Sequence, residues 1–155
     1  MVTPRGVQLL AGLLLFLWGE LALANGLTTI ESHFGPKETL DRLETDVKAK
    51  GLTVFARIDH AAGATAVGLN LLPTAVLIFG NAKGGTPLMQ SNQLIGIELP
   101  MKVLVWQDTS GKTWLSHADP TDLAKRYGLP AETTAAVNNL AAALRALTAK
   151  AAGAQ

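Results

Sequence analysis

Five consecutive apolar residues, Ala75-Val76-Leu77-Ile78-Phe79, constrain what this chain can fold into more than any other segment. The run sits between Pro73 and Gly80-Asn81, has the length of a strand, and is rich in branched side chains that suit a pleated surface. With no polar residue to turn toward water, it reads as a strand covered on both faces. The chain leaves it through Gly80-Asn81-Ala82-Lys83-Gly84-Gly85. Thr86-Pro87 then reads as an N-cap followed by proline at the first helical position, which predicts a short helix to about Asn92.

The flanking segments supply the rest of an alternating pattern. Leu27 to Glu31 has strand composition, and Pro36 opens a helix whose Leu40, Leu43 and Val47 share one face until Gly51 stops it. Along that helix Glu38/Arg42, Glu44/Lys48 and Asp46/Lys50 are acid-before-base pairs four residues apart. Thr53 to Ile58 alternates as a strand, with Val54, Ala56 and Ile58 on one face and Phe55 and Arg57 on the other. Asp59 is placed to cap a helix of small residues from His60 to Leu72, ended by Pro73. Met101 to Trp106 and Lys112 to Ser116 form two strands joined by Asp108-Thr109-Ser110-Gly111, a stretch with hairpin chemistry. Asp119-Pro120 starts a further helix closed by Gly128. A last helix from about Ala131 carries Val137, Leu140, Leu144 and Leu147 as its buried stripe, and Ala149 to Gln155 reads as a frayed tail.

The first 24 residues read as a secretory signal: Arg5, an apolar run of 12 residues from Val7 to Trp18, and a small-x-small cleavage site at Ala22-Leu23-Ala24. That run is short of the ~20 residues a bilayer requires. The expectation is a periplasmic or secreted single domain, residues 25–155, with no stable membrane span after cleavage, and an uncleaved anchor is the alternative. Zero cysteines exclude disulfides, thiolate catalysis and cysteine metal sites. A net charge of +1 with 5% aromatic residues gives neither a basic footprint nor stacking platforms, so no nucleic-acid partner is expected.

Three blocks hold the candidate functional residues. In the first, Gly80 and Gly85 have the spacing of a nucleotide loop, but Thr86-Pro87 stand where lysine and serine or threonine belong. What remains is an anion cradle built from the Gly84 and Gly85 amides, the Thr86 hydroxyl and the Lys83 charge. The competing reading is an ordinary turn whose glycines take positive φ and whose Thr86 caps. In the second block, Asp59 and His60 follow Arg57 closely, as a general base with its orienting partner or as an N-cap and a first-turn residue. In the third, Lys102 shares a strand face with Leu104 and Trp106, so its ammonium either meets a ligand or snorkels to water. His33, His60 and His117 lack ligand spacing within one element, and neither a metal nor a cofactor is expected. No Gly-x-Ser-x-Gly elbow occurs.

Taken together, Val54 to Ala64, Phe79 to Gln90 and Leu99 to Trp106 resemble the family catalogued as domain of unknown function 302, over about Thr53 to Leu129. The chain departs from the usual family pattern at Ala82 and Gly84-Gly85. The resemblance implies an α+β fold of two layers, an antiparallel sheet packed on helices as in TATA-binding-protein-like domains, and it admits a homodimer. It transfers no catalytic residue, and it marks Asp59, His60, Asn81, Lys83, Gly85, Thr86 and Lys102 as positions matching family motifs. The expectation is an exported module binding a small, anionic ligand where these residues gather at one end of the sheet. An Asp59-His60 acid/base enzyme and a structural, dimerising protein are the alternatives.

Overall fold

The computed structural model describes residues 26–154. The expected signal segment lies outside the described residues. Five strands form one antiparallel sheet in the order β1-β5-β4-β3-β2: β1 is Leu27–Ser32, β2 Thr53–Asp59, β3 Thr74–Gly80, β4 Met101–Gln107 and β5 Thr113–Ala118. Five helices accompany it: α1 Pro36–Ala49, α2 His60–Ala66, α3 Ala82–Ser91, α4 Pro120–Arg126 and α5 Thr134–Ala152. This is a two-layer α+β domain with helices on one side of an antiparallel sheet.

The core lies between that sheet and α1, α3 and α5. Leu40, Leu43 and Val47 of α1, Leu88 of α3, and Val137, Leu144 and Leu147 of α5 meet Leu77, Phe79, Met101, Val103, Val105 and Leu115. Full burial of each such side chain contributes ~1.5–3 kcal/mol, so this interface is the main source of stability. Arg57 reaches from β2 to α1, where it bridges Asp41 at 2.7 Å and Glu44 at 2.9 Å. Bonds from Lys37 and from Arg57 hold the Asp41 carboxyl below its usual range, as bonds from Lys48 and Arg57 do for Glu44.

β3 is a strand as expected, but it is covered on one face only. Leu77 and Phe79 are buried beneath the helices, whereas Val76 and Ile78 are half-buried on the face away from them. On that face the indoles of Trp106 and Trp114 stack with centroids 6.2 Å apart. The Trp106 Nε1–H donates to Ser116 Oγ at 3.0 Å and the Trp114 Nε1–H to Asp108 at 2.8 Å. Cross-strand neighbours therefore shield one another where no helix does.

Four further expectations are corrected. The glycine-rich stretch is not a loop: Asn81 caps α3, and Ala82 to Thr86 already form its first turns, with Pro87 inside the helix. Neither Gly84 nor Gly85 takes positive φ. An asparagine carbonyl at 2.7 Å from the Gly84 amide outcompetes Thr86 as the start signal, because it satisfies a first-turn donor one turn earlier. The helix after Asp59 stops at Ala66, since Gly68 adopts φ +76 and turns the chain. In β2 the register shifts between Val54 and Ala56, so Val54 pairs with Phe79 and Arg57 with Leu77 on the helix side, while Ala56 and Ile58 face away. The expected strict alternation misses this bulge. Finally, the C-terminal tail is docked rather than frayed: Ala151 and Ala152 are fully buried, and the Ala152 carbonyl accepts from the His33 amide at 2.9 Å.

Candidate functional site

A cleft of about 490 Å³ opens in the helical layer above the end of the sheet where β3 finishes and β4 begins. One wall is α5, which presents Ala136, Leu140, Ala143 and Leu147, spaced three and four apart so that they form a single stripe. The opposite wall is the segment Gly80 to Gly85 with Met89 of α3, and Leu99, Pro100 and Met101 close the end. Phe79, Met101 and Leu144 form the floor, which is continuous with the core.

The space exists because the residues around it are small. Gly80, Ala82, Gly84 and Gly85 on one side and Ala136 and Ala143 on the other leave the two walls apart. Gly85 lacks a side chain where a Cβ would stand 3.5 Å from Leu99 and 3.7 Å from Met89. The segment that brings Leu99 and Pro100 into place is anchored from behind. Asn92 donates to the Tyr127 carbonyl at 2.7 Å, and the Tyr127 hydroxyl donates to Glu98 at 3.0 Å, with Arg126 3.5 Å from the same carboxylate. These bonds tie the connection between α3 and β4 to α4 and fix one end of the cleft.

Two features give the mouth its chemistry. The bulge in β2 aims Phe55 at the cleft, where the ring is 57% exposed although it lines the apolar surface. Lys83 is the one charged side chain among the lining residues. Among the described residues it forms no ion pair. Asn81 and Asn139 supply the remaining polar side chains, and the Asn81 carbonyl is already committed to the Gly84 amide.

The seven residues picked from the sequence do not all gather. Asn81, Lys83 and Gly85 line the cleft. Thr86 sits within α3 and is exposed outside the lining. Lys102 pairs with Ile78 on the helix-free face, and its ammonium donates to the Glu98 carbonyl at 3.2 Å, which is a snorkelling arrangement. Asp59 and His60 lie at the far end of β2: Asp59 pairs with Ala75 while Thr53 pairs with Gly80, which separates them from the cleft by ~20 Å of strand. There Asp59 accepts the Ala62 amide at 2.9 Å as a helix cap, and Arg57 is occupied with α1. No group of three His, Asp or Glu side chains arranged to hold a metal occurs among the described residues.

Sequence reasoning missed Leu52, Phe55, Met89, Leu99, Asn139 and Ala143. For α5 a signal existed, the alanines interleaved with leucines at helical spacing. For Phe55 none did, because a bulge depends on the partner strand.

The family whose description is "Domain of unknown function DUF302" matches residues 28–147. The crystal structure of an uncharacterized conserved DUF302 protein from Bacillus stearothermophilus has a similar fold, with a TM-score of 0.64 and 25% identity over 84% of this chain and 98% of that one. Among curated proteins, two from Brucella suis and Brucella abortus, each named fluoride-specific ion channel FluC 1, are 43% identical to this chain over 129 residues. The match covers 83% of this chain and 51% and 48% of those relatives, so the chain spans about half their length.

Proposed function

The chain belongs to the family described as domain of unknown function DUF302, and from that premise we propose that it is an exported module that binds a small anionic ligand in the cleft between α3 and α5. The observation that carries this reading is a preformed space of about 490 Å³, in the usual range of ligand sites, whose lining includes an exposed phenylalanine and a lysine that forms no ion pair among the described residues. A solvent-exposed ring next to an apolar floor costs free energy that an occupant would recover. Export rests on the sequence of the first 24 residues.

Channel activity is not part of this proposal. The match covers about half of each channel-named relative, and among the described residues no helix is long and apolar enough to cross a membrane. An acid/base role for Asp59 and His60 has no support in their surroundings, since neither lines the cleft.

Heteronuclear NMR of the mature domain against a panel of small anions tests the reading. Shifts confined to Phe55, Lys83, Ala143 and their neighbours support it, and a panel that perturbs only surface residues elsewhere sinks it.

A second reading, a dimerising module, is favoured by a separate observation. α2 has no buried residue, Val67, Leu69, Leu71 and Leu72 after it are 71%, 64%, 49% and 44% exposed, and Ile58 of the edge strand β2 before it is 42% exposed. Several large apolar side chains exposed within one short stretch of chain are a mark of interaction surfaces, and a second copy is the occupant proposed. Sedimentation equilibrium decides: a concentration-dependent dimer that Leu69→Asp with Leu72→Asp converts to monomer supports it, and a wild type that stays monomeric excludes it.

A further inference from the structure

The lining of the cleft also names a ligand class, on the reading that the cleft is a binding site. We infer that the ligand is an amphipathic monoanion, an aliphatic or aromatic carboxylate whose apolar body fills the space between α5 and α3 while its single charged head meets Lys83 at the mouth.

Most of the surface offered to an occupant is hydrocarbon. Phe55, Phe79, Met89, Leu99, Leu140 and Leu144 supply it, and their positions run from the mouth to the floor. A polar body, such as a sugar or a nucleotide, would leave its hydroxyls and ring nitrogens without partners there, at a cost for each group. A small inorganic anion is equally ill served. Fluoride or phosphate gives up a full hydration shell on binding and requires several convergent donors in return. The lining offers three side-chain donors, the Lys83 ammonium and the amide N–H groups of Asn81 and Asn139, all on exposed residues, while the Gly84 and Gly85 amides are taken by Asn81.

The polar groups are also segregated. Lys83 and Asn139 are exposed, whereas Phe79, Met101 and Leu144 at the floor are buried. Charge at the rim and hydrocarbon at depth complement a molecule with a charged head and an apolar body. Lys83 carries its charge on a flexible four-carbon stem, so the head can remain partly hydrated.

Isothermal titration calorimetry with a homologous series of straight-chain carboxylates and the matching primary alcohols, all below their micelle concentrations, tests the assignment. Sodium fluoride and inorganic phosphate serve as the headgroup-only probes. Wild-type protein is expected to bind carboxylates roughly fourfold more tightly per added methylene until the space is filled, which is the factor that ~0.8 kcal/mol per buried CH₂ corresponds to. Lys83→Met is expected to weaken the carboxylates about tenfold, as loss of a charge-assisted hydrogen bond does, and to leave the alcohols unchanged. Ala143→Phe fills the cleft and is expected to abolish both, with Ala136→Leu as a second filling variant where the first perturbs folding. Asp59→Asn, at the other end of the sheet, is the control.

Alcohols binding as tightly as carboxylates, or fluoride or phosphate binding with no gain from chain length, would overturn the ligand class. Loss of that binding in the filled variants would show that the cleft remains the site. Carboxylates that bind with the expected slope but equally well to both filled variants would overturn the location as well. Absence of binding by every probe overturns the ligand class, and the cleft reading is then judged by the NMR panel independently.

Discussion

Asp59 and Asn81 each cap the first turn of a helix with a side-chain oxygen, and they do so from opposite ends of the same β2–β3 ladder. Asp59 Oδ1 accepts the Ala62 amide at 2.9 Å at one end, and Asn81 Oδ1 accepts the Gly84 amide at 2.7 Å at the other. Two motifs that look alike in sequence, a polar residue between a strand and a run of small residues, therefore have different settings. One borders the cleft and the other does not.

The first prediction separates them. Asp59→Ala and Asn81→Ala should each cost ~1 kcal/mol of stability, since both remove an N-cap at an exposed helix start. Urea unfolding measures the loss. Only Asn81→Ala should also alter occupancy of the cleft, because the cap fixes the orientation of the turn that carries Lys83. Equal effects of the two substitutions on ligand affinity would contradict the separation.

His117 carries the second. His117 is 4% exposed, its Nδ1 lies 2.8 Å from the Ala118 carbonyl, and its buried Nε2 has no hydrogen-bond partner among the described residues. Burial pushes the imidazole below its ordinary pKa of 6.5, against a smaller opposing pull from the Ala118 carbonyl and Asp119 and with help from Arg145. A depressed folded pKa means that the unfolded chain takes up the proton first. Stability is then full above 6.5 and declines as pH falls below it, until the folded ring also protonates. Thermal unfolding from pH 7.5 to 5 should show that decline in the wild type and a flatter profile in His117→Leu. Identical slopes would remove His117 from the account.

The C-terminus supplies the third. Ala151 and Ala152 are fully buried, the Ala152 carbonyl accepts from His33, and the Ala151 carbonyl accepts from Arg42 Nε at 3.3 Å. Gly153 follows in the left-handed region with φ +77, a conformation that suits glycine, and a Cβ there would stand 2.7 Å from the Phe34 ring. Truncation after Thr148 should cost ~2–4 kcal/mol, from two buried methyls and two tertiary hydrogen bonds. Gly153→Ala should be destabilising as well. A truncated protein with an unchanged melting temperature would restore the frayed tail.

The amino-acid sequence determined the elements whose signals are local. The β5 and α1 segments, the Asp108 to Gly111 turn, the Asp119-Pro120 helix start and the stripe of α5 follow from periodicity, capping chemistry and glycine placement, which act over a few residues. The α+β class came instead from the resemblance of three sequence blocks to the family whose model matches residues 28–147. Helix starts with two rival caps were ambiguous, and Asn81 prevailed over Thr86 because its carbonyl reaches an amide one turn earlier. Tertiary structure alone decided which polar residues meet. Seven candidates shared family motifs, yet three of them line the cleft, since a strand of seven residues carries Asp59 ~20 Å from Gly80 and a pleat turns Lys102 to the other face. Phe55 entered the site through a register shift that exists only once β2 is paired with β3. A residue's identity is local, whereas convergence on a cavity depends on contacts between segments far apart in the chain.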